Sequence, residues 1–250
     1  MKKVFILLAA GLTFFLNSCE NGDSASPVSS DGAIAGKGGS MARFAVVDDQ
    51  LYTVDNSSLN LFDISDAADP KPGNKVSVSF GVETIFPFGN KLFIGTQTGM
   101  MIYDITDQAD PKYVSHYEHV VACDPVVTDG RHAYVTLRSG TACRQAINQL
   151  QVIDIADISK PTLVQQYDMT NPMGLGIDNN LLFVCDDGLK VYDATDVMDL
   201  KLKHHFNVKA YDVIPVNGRL LLIGSDGFYQ YRYDAEKLTL LSKIDIKPKS

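Results

Sequence analysis

The sequence predicts an all-β protein, a β-propeller of five four-stranded blades, and two regularities carry that prediction. The first is a recurring motif. Asp63-Ile64-Ser65-Asp66, whose first aspartate lies seven residues before Pro70, returns as Asp104-Ile105-Thr106-Asp107 before Pro111 and as Asp154-Ile155-Ala156-Asp157 before Pro161. A short apolar run precedes each copy, and weaker copies follow at Leu189 to Asp193 and Phe228 to Asp234. The aspartates at 63, 104, 154, 193 and 234 are separated by 41, 50, 39 and 41 residues, close to the blade period of about 40 to 45 residues. The second regularity is a set of Asn/Asp/Gly pairs between apolar runs: Asp48-Asp49, Gly89-Asn90, Asp129-Gly130, Asn179-Asn180 and Asn217-Gly218. They fall where a tight hairpin needs positive φ, so they mark strand boundaries.

Residues 1–18 read as an export signal. Lys2 and Lys3 precede an apolar run from Val4 to Leu16, broken only by Gly11 and Thr13. That run is too short to span a bilayer, which takes about 20 residues. Leu16-Asn17-Ser18-Cys19 resembles the bacterial lipobox, which implies that Cys19 is lipidated and holds the protein on a membrane without crossing it. Each buried methylene contributes about 0.8 kcal/mol, so more than one acyl chain gives stable anchoring. Residues 19–41 are mostly small and polar and read as the acylated cysteine and a flexible tether. The acid-containing start after Cys19, from Glu20 to Ser24, resembles the surface-export signals of Bacteroidetes lipoproteins. That resemblance implies an outer-membrane or cell-surface location, with the periplasmic face as the alternative.

Residues 42–246 then form one domain, large enough for a sizeable core. Unit one covers 42–80, unit two 81–119, unit three 120–169, unit four 170–208 and unit five 209–246. Each reads as an apolar inner strand, a turn, a second strand, the Asp-bearing third strand and a last outer strand. Closure into a ring removes the edges that an open stack would expose, and no polar capping repeat flanks the array. Unit five supplies its own last strand, so a strand exchanged from the N-terminus is not required. A monomer is expected.

Leu150-Gln151-Val152-Ile153-Asp154 resembles the LVIVD repeat, a propeller-forming family of bacterial surface proteins and lipoproteins. The resemblance extends over 42–246 and implies a β-propeller without implying an activity. Units four and five depart from the pattern: Leu200 stands where proline is expected, and unit five lacks the Ser/Thr-Asp step.

The formal charge of −8 becomes about −10 once Lys2 and Lys3 are removed with the signal. An acidic surface argues against nucleic acid and against adhesion to anionic lipid. The repeated aspartates invite a catalytic or metal reading, yet a role needed five times is structural, most simply a carboxylate accepting backbone N–H bonds in the turn after the third strand. The histidines make no metal site by spacing, and no phosphate loop, nucleophile elbow, CxxC or HExxH is present. No cofactor and no metal are expected.

Candidate function lies where the repeat is broken. Unit three inserts Arg138 to Gln149 between its second and third strands. That loop shares a face with the openings of the inner strands, which carry Arg43, Glu83, Asp124, Met173, Tyr211 and Asp212. Arg138, Arg144, Asp124, Tyr211, Asp212 and Met173 are therefore the candidate binding residues for a protein or glycan. Cys123 and Cys143 could meet on this face as a disulfide in an oxidising compartment, leaving Cys185 a free, buried thiol. An enzyme is the less favoured alternative. In it Glu83, Asp124 and Asp212 would be the catalytic carboxylates of a hydrolase or lyase acting on polysaccharide; the same oxygens could ligate a hard cation.

Overall fold

The computed structural model describes residues 38–119, 125–139, 147–234 and 237–246. The described residues form five four-stranded antiparallel sheets and no helix, arranged as a five-bladed β-propeller. Blade 1 is β1 (Phe44–Val47), β2 (Gln50–Val54), β3 (Ser58–Asp63) and β4 (Lys71–Ser77). Blade 2 is β5 (Val82–Phe88), β6 (Lys91–Thr96), β7 (Gly99–Asp104) and β8 (Lys112–Glu118). Blade 3 is β9 (Val126–Thr128), β10 (His132–Leu137), β11 (Gln149–Asp154) and β12 (Thr162–Asp168). Blade 4 is β13 (Pro172–Asp178), β14 (Leu181–Asp186), β15 (Leu189–Asp193) and β16 (Lys201–Phe206). Blade 5 is β17 (Ala210–Val216), β18 (Arg219–Gly224), β19 (Gly227–Tyr233) and β20 (Leu238–Asp245). Every blade is ordered by sequence from inner to outer strand, and each falls within the unit that the repeat delimits.

Local chemistry explains the repeat. In the turn after the third strand, Oδ1 of Asp63, Asp104, Asp154 and Asp193 accepts the backbone N–H two residues on, at 2.7–3.0 Å. The motif's second aspartate, at 66, 107, 157 and 196, repeats that bond one turn later. In blade 5, which lacks the second step, Asp234 instead accepts from Lys237 N at 2.7 Å. These are Asx turns, a local use of a short carboxylate that needs no metal. The hairpin pairs also behave as their chemistry requires: Asp48, Gly89, Gly130, Asn179, Asn217 and Gly218 all have positive φ. Leu200 replaces the motif proline for a visible reason. Its N–H donates to Tyr167 Oη at 3.0 Å, a bond proline cannot make.

Apolar side chains fill the spaces between neighbouring blades. Tyr52, Leu59 and Leu61 of blade 1 meet Ile85, Leu92 and Ile94 of blade 2. Phe93, Met100 and Ile102 of blade 2 meet Val126, Val135 and Leu137 of blade 3. Tyr134 and Val152 pack on Leu182 and Val184, and Phe183 and Val191 on Leu220, Leu222 and Tyr231. Among the described residues no corresponding core joins blade 5 to blade 1. The sides that face this seam carry half-buried Val46, Leu51, Ile214, Leu221 and Phe228, with Phe44 60% and Ile223 48% exposed.

The domain also begins earlier than the composition of 19–41 indicates. Gly39 and Ser40, placed by their composition at the end of the tether, are buried. A turn closed by Ala42 N donating to Gly39 O at 3.0 Å carries the chain into β1.

Candidate functional site

The inner strands all begin on one face of the ring, and the loops between second and third strands lie on the same face. There, four blades converge on a cavity of about 440 Å³. Arg43 and Asn56 come from blade 1, Glu83 and Gln97 from blade 2, Arg138 from blade 3 and Met173 from blade 4. Backbone bonds shape the rim. Gly81, at φ +81°, and Val82 both donate to Asn56 O at 2.9 and 3.1 Å, and Gln97 N donates to Gly81 O at 2.9 Å. Gln97 Nε2 donates to Glu83 Oε1 at 3.2 Å, and Arg43 Nη2 to Val82 O at 3.4 Å. Two guanidinium groups and one carboxylate thus line a cup in an otherwise acidic chain, with amide groups between them.

The base of the blade-3 insertion is fixed. Asn148 Oδ1 accepts from Ser139 N and Ser139 Oγ at 2.9 and 3.0 Å, while Asn148 Nδ2 donates to Thr170 O at 2.7 Å. Thr136 Oγ1 donates to Met173 O at 2.6 Å, tying blade 3 to the start of blade 4. Asp124, Arg144, Cys123, Cys143 and Cys19 lie outside the described residues. Cys185 is a free, buried thiol. Burial, with the Asp212 carboxylate nearby, raises its pKa well above the usual thiol value, which keeps it protonated and unreactive.

The structure brings Glu83, Arg138 and Met173 together at this cavity. Tyr211 lines a neighbouring hollow of about 360 Å³ with Asn171, Met173, Lys209 and Ser225. Asp212 lines neither; it serves the chain's own N-terminal turn. Ser40 Oγ donates to Asp212 Oδ1 at 2.9 Å, Met41 N to Oδ2 at 3.3 Å and Val213 N to Oδ1 at 2.9 Å. Leu175 N in turn donates to Ser40 Oγ at 2.8 Å. Loss of water around Asp212 outweighs these bonds and raises its pKa to about 6. The close approach needs a glycine on β13: a Cβ at Gly174 would lie 2.1 Å from Asp212 Oδ1 and 2.8 Å from its Cα.

Asp186, at the end of β14, anchors the backbone that leads into blade 4. Fully buried, its carboxylate accepts from Thr170 N and Asn171 N at 3.0 and 2.6 Å and pairs with Lys190 Nζ at 2.7 Å. It therefore fixes the rim where blade 4 begins. Residue spacing missed Asn56 and Gln97 as lining residues; their one sequence signal is a polar side chain in a loop between second and third strands. On the opposite face, a shallower hollow of about 880 Å³ lies among the hairpin turns beside Phe88, Arg131, His132 and Asp196. Among the described residues, no group of three or more His, Cys, Asp or Glu side chains is arranged to hold a metal ion.

The LVIVD repeat profile matches residues 145–169, the third and fourth strands of blade 3 with the segment before them. The chain carries an LVIVD repeat. No curated protein matches the sequence. Among solved structures it is similar to a functionally unknown protein from Desulfotomaculum acetoxidans, at 10% identity over 80% of this chain and 68% of that one, with a TM-score of 0.64. It is also similar to the periplasmic gluconolactonase of Pseudomonas aeruginosa, at 16% identity over 82% and 68% of the two chains, with a TM-score of 0.57. At such identities the likeness is one of fold.

Proposed function

We propose that this protein is an exported, lipid-anchored propeller that binds a protein or glycan at the inner-strand face and does no chemistry on it. The observation that carries this reading is the cavity lined by Arg43, Glu83, Arg138 and Met173, one residue from each of four blades. Two arginines with flanking amides suit a ligand that presents carboxylates, because a planar guanidinium matches a carboxylate with two parallel hydrogen bonds. Arg138 also opens the blade-3 insertion, so Arg144 and the loop would extend the same surface, with Asp124 beside it. Tyr211 would border it from the adjoining hollow.

The rival reading is a hydrolase or lyase using Glu83, Asp124 and Asp212, and the gluconolactonase likeness makes it worth testing. Against it, Asp212 spends both oxygens on the chain's own turn. Glu83 stands bonded to Gln97 at a cavity that Asp212 does not line.

A photo-crosslinking residue at position 138 on intact cells should capture an envelope protein or glycan, and Arg43→Ala should abolish the capture. Absence of any captured species, together with turnover of gluconolactone or an acidic polysaccharide that Glu83→Gln abolishes, would overturn the binding reading. For the anchor, Cys19→Ser should move the protein from the membrane to the soluble fraction; retention in the membrane fraction sinks that assignment.

A further inference from the structure

We propose, on the binding reading above, that the cavity beside Arg138 and the hollow beside Tyr211 are consecutive subsites for one acidic glycan, each taking a sugar that bears a carboxylate. Met173 lines both spaces, of about 440 and 360 Å³, so a single chain can lie across them.

Each space carries the same kinds of group. The first has Arg43 and Arg138 as cations, Glu83 as a carboxylate, and Asn56 and Gln97 as amides. The second has Lys209, Asp187, Asn171 and Asn207. Lys91, Lys190 and Lys203 each have a carboxylate oxygen at 2.7–3.4 Å. Among the described residues, none of Arg43, Arg138 and Lys209 takes part in an ion pair. Unspent cations on one face of a chain of charge −8 suit an anionic ligand.

The second space has a fixed frame. Val208 N donates to Phe206 O and Ala210 N to Val208 O, both at 2.9 Å. These are three-residue turns with Asn207 and Lys209 at their centres. A Cβ at Gly224 would lie 1.8 Å from Lys209 O, so only glycine lets β18 close against this backbone. Asn171 N is held by Asp186 at 2.6 Å.

The carboxylates beside the cations decide the ligand class. An Asp- or Glu-rich peptide would bring like charge to Glu83 and Asp187 with no side-chain hydroxyl to offer them. A uronic acid brings hydroxyls that donate to those carboxylates and a carboxylate that pairs with a guanidinium. Its apolar C–H face suits the ring of Tyr211, which is 41% exposed.

The test is isothermal titration of the whole chain in detergent with tetrasaccharides of galacturonate, glucuronate and mannuronate, their single sugars, and a tetraglutamate peptide. At least one tetrasaccharide should bind about tenfold or more tighter than its single sugar, the gain from one further charge-assisted hydrogen bond. Lys209→Ala and Tyr211→Ala should each remove that gain, while Arg43→Ala should weaken tetrasaccharide and single sugar alike. Lys160→Ala, in an exposed turn on the opposite face, should change neither. Equal binding of tetrasaccharide and single sugar overturns the proposal, as does a gain that survives both Lys209→Ala and Tyr211→Ala; either result leaves binding at the Arg43 cavity standing. Tighter binding of tetraglutamate than of every tetrasaccharide overturns the glycan assignment. If no sugar binds while the crosslinker at position 138 still captures an envelope partner, the proposal alone is lost. If that capture fails too, the binding reading falls with it.

Discussion

The carboxyl of Asp212 gives a sharp test of how the domain's first turn is held. Its pKa is raised from 3.8 to about 6 by burial. A group that holds its proton more tightly when folded favours the folded state at low pH, and that advantage is lost as pH rises from about 4 to about 6. At 1.36 kcal/mol per pKa unit, the loss amounts to about 3 kcal/mol. Asp55 and Asp104 have pKa values lowered to about 2, so their contribution changes below pH 4 and does not overlap. His116 is lowered by burial and works in the opposite direction within the same window, which makes a difference measurement necessary. Asp212→Asn removes the titrating group and keeps the shape. Urea unfolding of both proteins from pH 4 to 7.5 should show the variant gaining about 3 kcal/mol relative to the parent across that range. The amide facing Met41 N adds a constant cost that does not depend on pH. A stability difference that stays constant from pH 4 to 7.5 refutes the reasoning.

Asp186→Ala should cost about 3 to 5 kcal/mol, because it strands Lys190 and two backbone N–H groups at a buried site; a loss below about 1 kcal/mol by chemical denaturation would contradict the role given to Asp186. Gly174→Ala should cost about 1 to 3 kcal/mol from overpacking, since the new Cβ meets the Cα of Asp212 as well as its carboxylate and no side-chain rotation relieves that contact. An unchanged Tm there would mean that β13 and β17 can separate freely. Leu200→Pro, which restores the residue of the first three units, should destabilise by about 1 kcal/mol through loss of the bond to Tyr167 Oη. A stabilised variant would show that bond to be worth little.

The parts of the fold that were legible are those whose causes are local. An Asx turn is complete within three residues and a tight hairpin within four, so Asp63 or Asn217 announces its conformation without reference to the rest of the chain. Such local decisions, repeated at a blade period, define the propeller. The parts that were not legible depend on partners far away in sequence. Ser40 meets Asp212 across 172 residues, and Tyr167 reaches Leu200 across 33. No window of turn length contains both members of either pair. Composition alone therefore put Ser40 in a tether and left Leu200 as an unexplained departure.

Weak signals for Asp212 do exist in the sequence. An aspartate interrupts the apolar inner-strand pattern of β17. Gly174 and Gly176 stand in the facing strand β13, where glycine within a strand marks close approach by another group. Together they point to a carboxylate committed to neighbouring backbone. Glu83 differs because it stands beside Arg43 and Arg138 at a cavity open to solvent. Hydrogen-bond partners thus separate two acids that looked alike in sequence. An acid whose oxygens hold the chain's own turn stabilises the ring, and an acid at the rim beside two arginines can help choose a ligand.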